Sequence, residues 1–191
     1  MTATKDEMLR FILEIARLAG VKVAIGGGIA VNSHGYRRDT ADVDAFFHFP
    51  DQRKILRQIN DQLGDNFVLE EFDPSHWIVA AIGAPPDERI DLLFAVGDPE
   101  ESAVEMATIR KYHGIETPVF PIDMLVISKF LAERDDAKDS LDIYELHRKG
   151  AFEISSISTR LHQMGFDEDA QRFPEFMAFL QGLSAKKKGK S

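Results

Sequence analysis

Apolar positions along the chain follow two rhythms, one near 3.6 residues and one of two, and these divide it into predicted elements. Met8, Phe11, Ile12, Ile15, Leu18 and Ala19 recur at helical spacing, with Gly20 placed to end the helix. Residues 21–25 form a short apolar run that reads as a buried strand. Gly26-Gly27-Gly28 follows it, and 29–34 reads as a short helix stopped at Gly35. Val43, Ala45, Phe47 and Phe49 alternate with Asp42, Asp44, Phe46 and His48, the period of a strand with one buried face. Residues 51–63 carry Ile55, Ile59 and Leu63 on one helical stripe. Strands are expected at 67–72 and 77–82, turning around Asp73-Pro74-Ser75, and at 90–96 after the turn Pro85-Pro86-Asp87. A helix near 101–106 and one strand within 109–120 complete this half.

Beyond Pro121, which suits a first helical turn because no N–H is needed there, the pattern is helical throughout. Helices are expected at 121–134, 137–148, 153–164 and 168–183. In the third, Ile154, Ile157, Leu161 and Met164 form one stripe and Gly165 stops it. The order of elements implies an α/β part, 1–120, then a helical part, 121–184, and a basic tail, 185–191, expected to be disordered.

Composition narrows the class. A chain of 191 residues, 44% hydrophobic and 29% charged, suits one soluble domain with a small appendage, and it can bury a core without disulfides. The absence of cysteine excludes a disulfide scaffold, thiolate zinc sites and thiol catalysis, and fits a cytoplasmic protein. No basic segment leads into an apolar run at the N-terminus, so no signal peptide is read. No apolar stretch approaches the roughly 20 residues that span a bilayer, so no membrane partner is expected. The formal net charge is −9, and four of the 23 Lys and Arg residues crowd the last six positions. So acidic a body is a poor nonspecific phosphate binder, which leaves room only for a local basic pocket.

Three segments carry candidate chemistry. On a strand, Asp42 and Asp44 point to one face while Val43 enters the core, and two such carboxylates repel unless a cation lies between them. Hard oxygen ligands suit magnesium; a solvated strand edge is the plainer alternative. The triple glycine lets backbone N–H groups approach phosphate without Cβ interference, yet it lacks both the Gly-Lys-Ser/Thr ending of a P-loop and dinucleotide-fold spacing. It also reads as a tight strand–helix turn. Asp91 is a lone acid within the apolar run Arg89-Ile90-Asp91-Leu92-Leu93-Phe94, where it would either pair with Arg89 or backbone, or join Asp42 and Asp44. Three carboxylates on one face could hold two metals for in-line displacement at phosphorus. The six histidines show no zinc spacing.

Gly27-Gly28-Ile29-Ala30, His34-Gly35, Arg38-Asp39-Thr40 and Asp42-Val43-Asp44, with 13 residues between Gly28 and Asp42, resemble the signature of the nucleotidyltransferase superfamily, which has the DNA-polymerase-β-like fold. Lys129, Arg134, Lys138-Asp139 and Asp142 resemble the helical half of its AbiEii-like toxin branch, so the likeness spans roughly 21–145. The resemblance implies an α+β fold, a mixed sheet with helices followed by a helical C-terminal half. It implies transfer of NMP from an NTP to an acceptor hydroxyl, with Mg²⁺, or Mn²⁺ in its place, on Asp42, Asp44 and Asp91. Asp91 would also help deprotonate the acceptor. Gly27 and Gly28 would face the triphosphate and Lys129 would neutralise it. Arg38 and Thr40 would assist with phosphate or orient Asp42, a structural turn being the alternative. Lys138, Asp139 and Asp142 read mainly as helix-start charges and an intrahelical ladder.

The branch implies a toxin acting on RNA or protein, with a cognate antitoxin as partner. An antibiotic-modifying enzyme with a small-molecule acceptor shares the same elements. A manganese glycosyltransferase would leave the upstream Gly-Gly turn unexplained. A non-catalytic nucleotide-binding or antitoxin-like protein would not need all three acids.

Overall fold

The computed structural model describes residues 4–132 and 137–188. Contacts divide the chain into two compact units: one comprises residues up to Ser33 and Arg37–Pro121, the other His34–Tyr36 and the residues from Ile122 onward.

The first unit is built on a seven-stranded mixed sheet in the order β3-β4-β5-β2-β1-β7-β6. Its strands are β1 (Ala24–Ile25), β2 (Val43–His48), β3 (Phe67–Asp73), β4 (His76–Ala81), β5 (Arg89–Ala95), β6 (Thr108–Tyr112) and β7 (Ile115–Val119). The pairs β2–β5 and β1–β7 are parallel and the others antiparallel. Helices α1 (Lys5–Ala19), α2 (Gly27–Ser33), α3 (Gln52–Gln62) and α4 (Glu100–Glu105) accompany them. Helix α1 begins with a capping box between Thr4 and Glu7 and ends at Gly20 in the left-handed region.

Alternation along β2 and β5 decides which face is the core. Val43, Ala45, Phe47, Ile90, Leu92 and Phe94 are all buried, as are Leu9, Ile12 and Ile15 of α1 and Ile55 and Ile59 of α3. Helix α1 packs on α3 and on both strands. The opposite face of these strands carries Asp44 and Asp91. Phe49, expected to continue the buried set, is instead 40% exposed. The strand stops at His48 because the chain turns into a 3-10 segment, Phe49–Asp51, whose Pro50 offers no ladder N–H.

The 109–120 region holds two strands where the sequence pattern suggests one. They form a hairpin whose turn places His113 at φ 47° and Gly114 at φ 81°. Two successive positive φ values match the twist of antiparallel strands, and glycine takes one of them without strain.

The second unit contains α5 (Ile122–Leu131), α6 (Ala137–Arg148), α7 (Ile154–Gln163) and α8 (Asp167–Lys188). Its core includes Leu125, Ile127, Ile143, Leu146, Ile157 and Leu161. Phe130, Phe152, Phe173 and Phe176 form an aromatic cluster within it. Helix α8 continues to Lys188, past residue 185 where the sequence pattern starts the tail. This α+β architecture, a mixed sheet with helices followed by a helical C-terminal part, is the one that the resemblance implies. No helix among the described residues is long and apolar enough to cross a membrane.

Candidate active site

Asp44 is the second residue of β2 and pairs in register with Asp91 on the neighbouring parallel strand β5. Both therefore project from the same face. Asp42 lies one residue ahead of β2, and oxygens of Asp42, Asp44 and Asp91 all fall within 4.8 Å of one another. Asp91 is buried at 4% exposure, while the other two are half-buried. Like charges this close repel by about 4 kcal/mol per pair at 4 Å in a surface-like dielectric, so the cluster needs positive charge.

Part of that charge comes from the chain. Arg89 donates from Nε to Asp91 Oδ2 at 2.9 Å, and His76 Nε2 lies 2.7 Å from Asp91 Oδ1. The hydrogen bond to Asp91 raises the Arg89 guanidinium pKa above its ordinary value; burial opposes the rise and attraction from Asp91, Asp42 and Asp44 adds to it. The structure thus realises both options left open for Asp91, its pairing with Arg89 and its union with the other two acids.

The loop before β2 fixes the remaining acid. Thr40 Oγ1 donates to Asp42 Oδ1 at 2.5 Å. Asn32 clamps the backbone of Arg38, receiving its N–H at 2.8 Å and donating to its carbonyl at 2.9 Å. The Arg38 guanidinium donates to the Asp39 carbonyl at 3.0 Å. The glycines make room for this arrangement. Gly27 has φ 48°, and a Cβ there would overlap Asp44 Oδ2; a Cβ on Gly28 would strike the Thr40 side chain. Gly26 donates its N–H to the Asp44 carbonyl at 2.9 Å. The turn is thus packed directly against Asp44 and against Thr40, the partner of Asp42.

Lys129 belongs to the helical unit. Its ammonium binds Asp139 and lies 2.9 Å from Asp142 Oδ2, with the Asp142 side chain almost fully buried. Asp139, in the first turn of α6 as expected, and Asp142 thus also pair with Lys129 of α5. Arg134 lies outside the described residues.

Sequence reasoning missed His76. It stands on the same face of β4 as Ile78, the partner of Asp91, and so reaches that carboxylate diagonally across the ladder. The expected hairpin was the available signal, but spacing alone does not give its register against β5.

Two solved structures share this fold. The solution structure of the antibiotic-resistance factor ANT(2'')-Ia aligns with a TM-score of 0.55 at 14% identity, covering 96% of this chain and 94% of that one. The crystal structure of ANT(2'')-Ia in complex with adenylyl-2''-tobramycin aligns with a TM-score of 0.53 at 15% identity, covering 91% and 94%. At such identities the likeness concerns the fold alone. No curated protein matches the chain. The family described as "nucleotidyl transferase of unknown function (DUF2204)" matches residues 5–176, nearly all of the described chain. The chain therefore belongs to this family and is a nucleotidyltransferase.

Proposed function

We propose that the protein moves a nucleoside monophosphate from an NTP to an acceptor hydroxyl in a magnesium-dependent reaction. The observation that carries this reading is the convergence of Asp42, Asp44 and Asp91, with oxygens within 4.8 Å, on the sheet face opposite the core. The donor set consists only of hard carboxylate oxygens, which fits magnesium, with manganese as substitute. Arg89 and His76 take one position on each Asp91 oxygen, and a carboxylate retains further lone pairs. Magnesium held by the three acids would neutralise phosphate charge and ease ionisation of the acceptor hydroxyl.

In this reading the acceptor oxygen forms a bond to the α-phosphorus. The α–β phosphoanhydride bond breaks, pyrophosphate leaves, and Asp91 takes up the hydroxyl proton. Thr40 holds Asp42 in its liganding orientation. Gly27 and Gly28 keep the backbone close enough for its N–H groups to meet the triphosphate, and Arg38 supplies charge to the same phosphates. Lys129 keeps a proposed part in phosphate neutralisation through the ammonium N–H that Asp139 and Asp142 leave available.

The AbiEii-like motif order supports a toxin-like enzyme acting on RNA or protein and restrained by an antitoxin, working in the cytoplasm. The fold shared with ANT(2'')-Ia supports the alternative of a small-molecule acceptor. Incubation with each labelled NTP and magnesium, offering RNA, protein and aminoglycoside acceptors separately, tests the reading. Label should enter one acceptor class with release of pyrophosphate. Failure of transfer to every class, with NTP–Mg still bound, would favour a non-catalytic nucleotide-binding protein.

A further inference from the structure

A second polar cleft of about 470 Å³ opens in the sheet unit, between the N-terminal end of α1, the 37–40 loop and the tip of the β6–β7 hairpin. Lys5, Arg37, Arg38 and Lys111 line it, against a single acid in its wall, Asp39. His113, also in the wall, is paired with Asp6 at 3.0 Å. In a chain of net charge −9, this concentration of cations is a local exception.

The cleft is built rather than incidental. Lys5 donates to the Thr40 carbonyl at 2.8 Å and lies 5.4 Å from the centroid of the Tyr112 ring. Asn32 fixes the Arg38 backbone on both sides. Tyr112, part of the wall, is 4% exposed, and its buried hydroxyl has no hydrogen-bond partner among the described residues. Arg37 and Lys111 are exposed, and neither has an ion-pair partner among the described residues. The cleft also adjoins the acids. Thr40, whose carbonyl binds Lys5, gives its hydroxyl to Asp42.

We infer that this cleft binds the phosphodiester backbone of a single-stranded nucleic-acid acceptor and leads its hydroxyl toward Asp42. The inference rests on the transferase reading above and assigns its acceptor class. Lys5, Arg37 and Lys111, spread over a cleft beside the triphosphate-facing Arg38, suit a chain of phosphates, whereas a polyamine such as an aminoglycoside would meet like charge.

The test measures binding of a labelled, short single-stranded oligoribonucleotide to the full chain by fluorescence anisotropy, without metal or NTP, across a salt series. Calorimetry with NTP–Mg runs in parallel. Arg37→Ala/Lys111→Ala should weaken oligonucleotide binding roughly tenfold or more and reduce the magnitude of the log–log salt slope by about 1.4, the share of two phosphate contacts on a single strand. Its NTP–Mg affinity should match the parent's. Absence of oligonucleotide binding by the parent, or an unchanged affinity and slope in the double variant, would overturn the inference. If NTP–Mg binds and the oligonucleotide does not, the cleft assignment falls alone. If the oligonucleotide binds and NTP–Mg does not, the transferase reading falls and the cleft stands as a nucleic-acid site.

Discussion

Asp44 and Asp91 are register partners on the parallel strands β2 and β5, so two carboxylates 47 positions apart in sequence stand side by side on one sheet face. Parallel pairing keeps side chains of partnered residues on a common face, and the opposite faces of both strands are covered by α1, which packs in turn on α3. The repulsion built into this pairing is offset in part by the Arg89 guanidinium on Asp91, whose other oxygen is hydrogen-bonded to His76. Magnesium would supply the remainder.

Removal of Asp42 relieves part of that repulsion. Asp42→Ala should fold and, in the presence of a chelator, melt at or above the parent temperature. Magnesium should raise the melting temperature of the parent and leave that of the variant unchanged. Equal magnesium-induced shifts in both proteins would remove Asp42 from the metal site.

Gly27 tests the close approach of the turn to the acids. Gly27→Ala places a side chain at φ 48° and drives its Cβ into Asp44 Oδ2. Backbone strain alone should cost about 1–2 kcal/mol in a denaturant titration. Displacement of Asp44 should remove magnesium-dependent NTP binding even where the variant is fully folded. Full NTP–Mg affinity in this variant would show that Asp44 is not a ligand.

His76 is expected to act as a positioning residue. His76→Ala frees one oxygen of Asp91, leaving Arg89 as the identified partner of that carboxylate. Single-turnover transfer should fall about tenfold or more, in line with loss of a charge-assisted hydrogen bond, while NTP–Mg affinity changes little. His76→Gln should recover part of the rate. A loss of folding stability with an unchanged transfer rate would mean that His76 serves the sheet alone.

Lys129 separates structure from binding in the helical unit. Lys129→Ala leaves Asp142, almost fully buried, without this cation and should destabilise the protein by about 3–5 kcal/mol. Lys129→Ala/Asp142→Ala should be less destabilised than the two single changes predict by addition. Stability close to the parent's in Lys129→Ala, with weakened triphosphate binding, would favour phosphate contact as its main role.

The acids were legible in the sequence for physical reasons. The alternation around Asp42-Val43-Asp44 has the period of a strand with one buried face, and Asp91 interrupts an apolar run where a carboxylate needs a partner. The glycine turn was visible too, although its role in clearing space for Asp44 and Thr40 depends on three-dimensional approach. The hairpin at 109–120 stayed hidden because residues 108–111 are all exposed and show no alternation, and because its turn uses His113 at positive φ. His76 stayed hidden because strand register, here of β4 against β5, is a tertiary property. The Lys129 pairing crosses from α5 to α6, beyond the reach of a helical ladder.

Asp91→Asn tests the central claim most directly. The substitution keeps shape and burial while removing the charge proposed to serve the acceptor hydroxyl, and it leaves Asp42 and Asp44 in their proposed role of bringing in the nucleotide. Calorimetric NTP–Mg affinity and single-turnover transfer should be measured on the same preparations of parent and variant. A modest loss of affinity is expected, with transfer reduced by orders of magnitude, as when an interaction made chiefly in the transition state is lost. Transfer retained at the parent rate would contradict the assignment of Asp91 and the three-carboxylate site built on it.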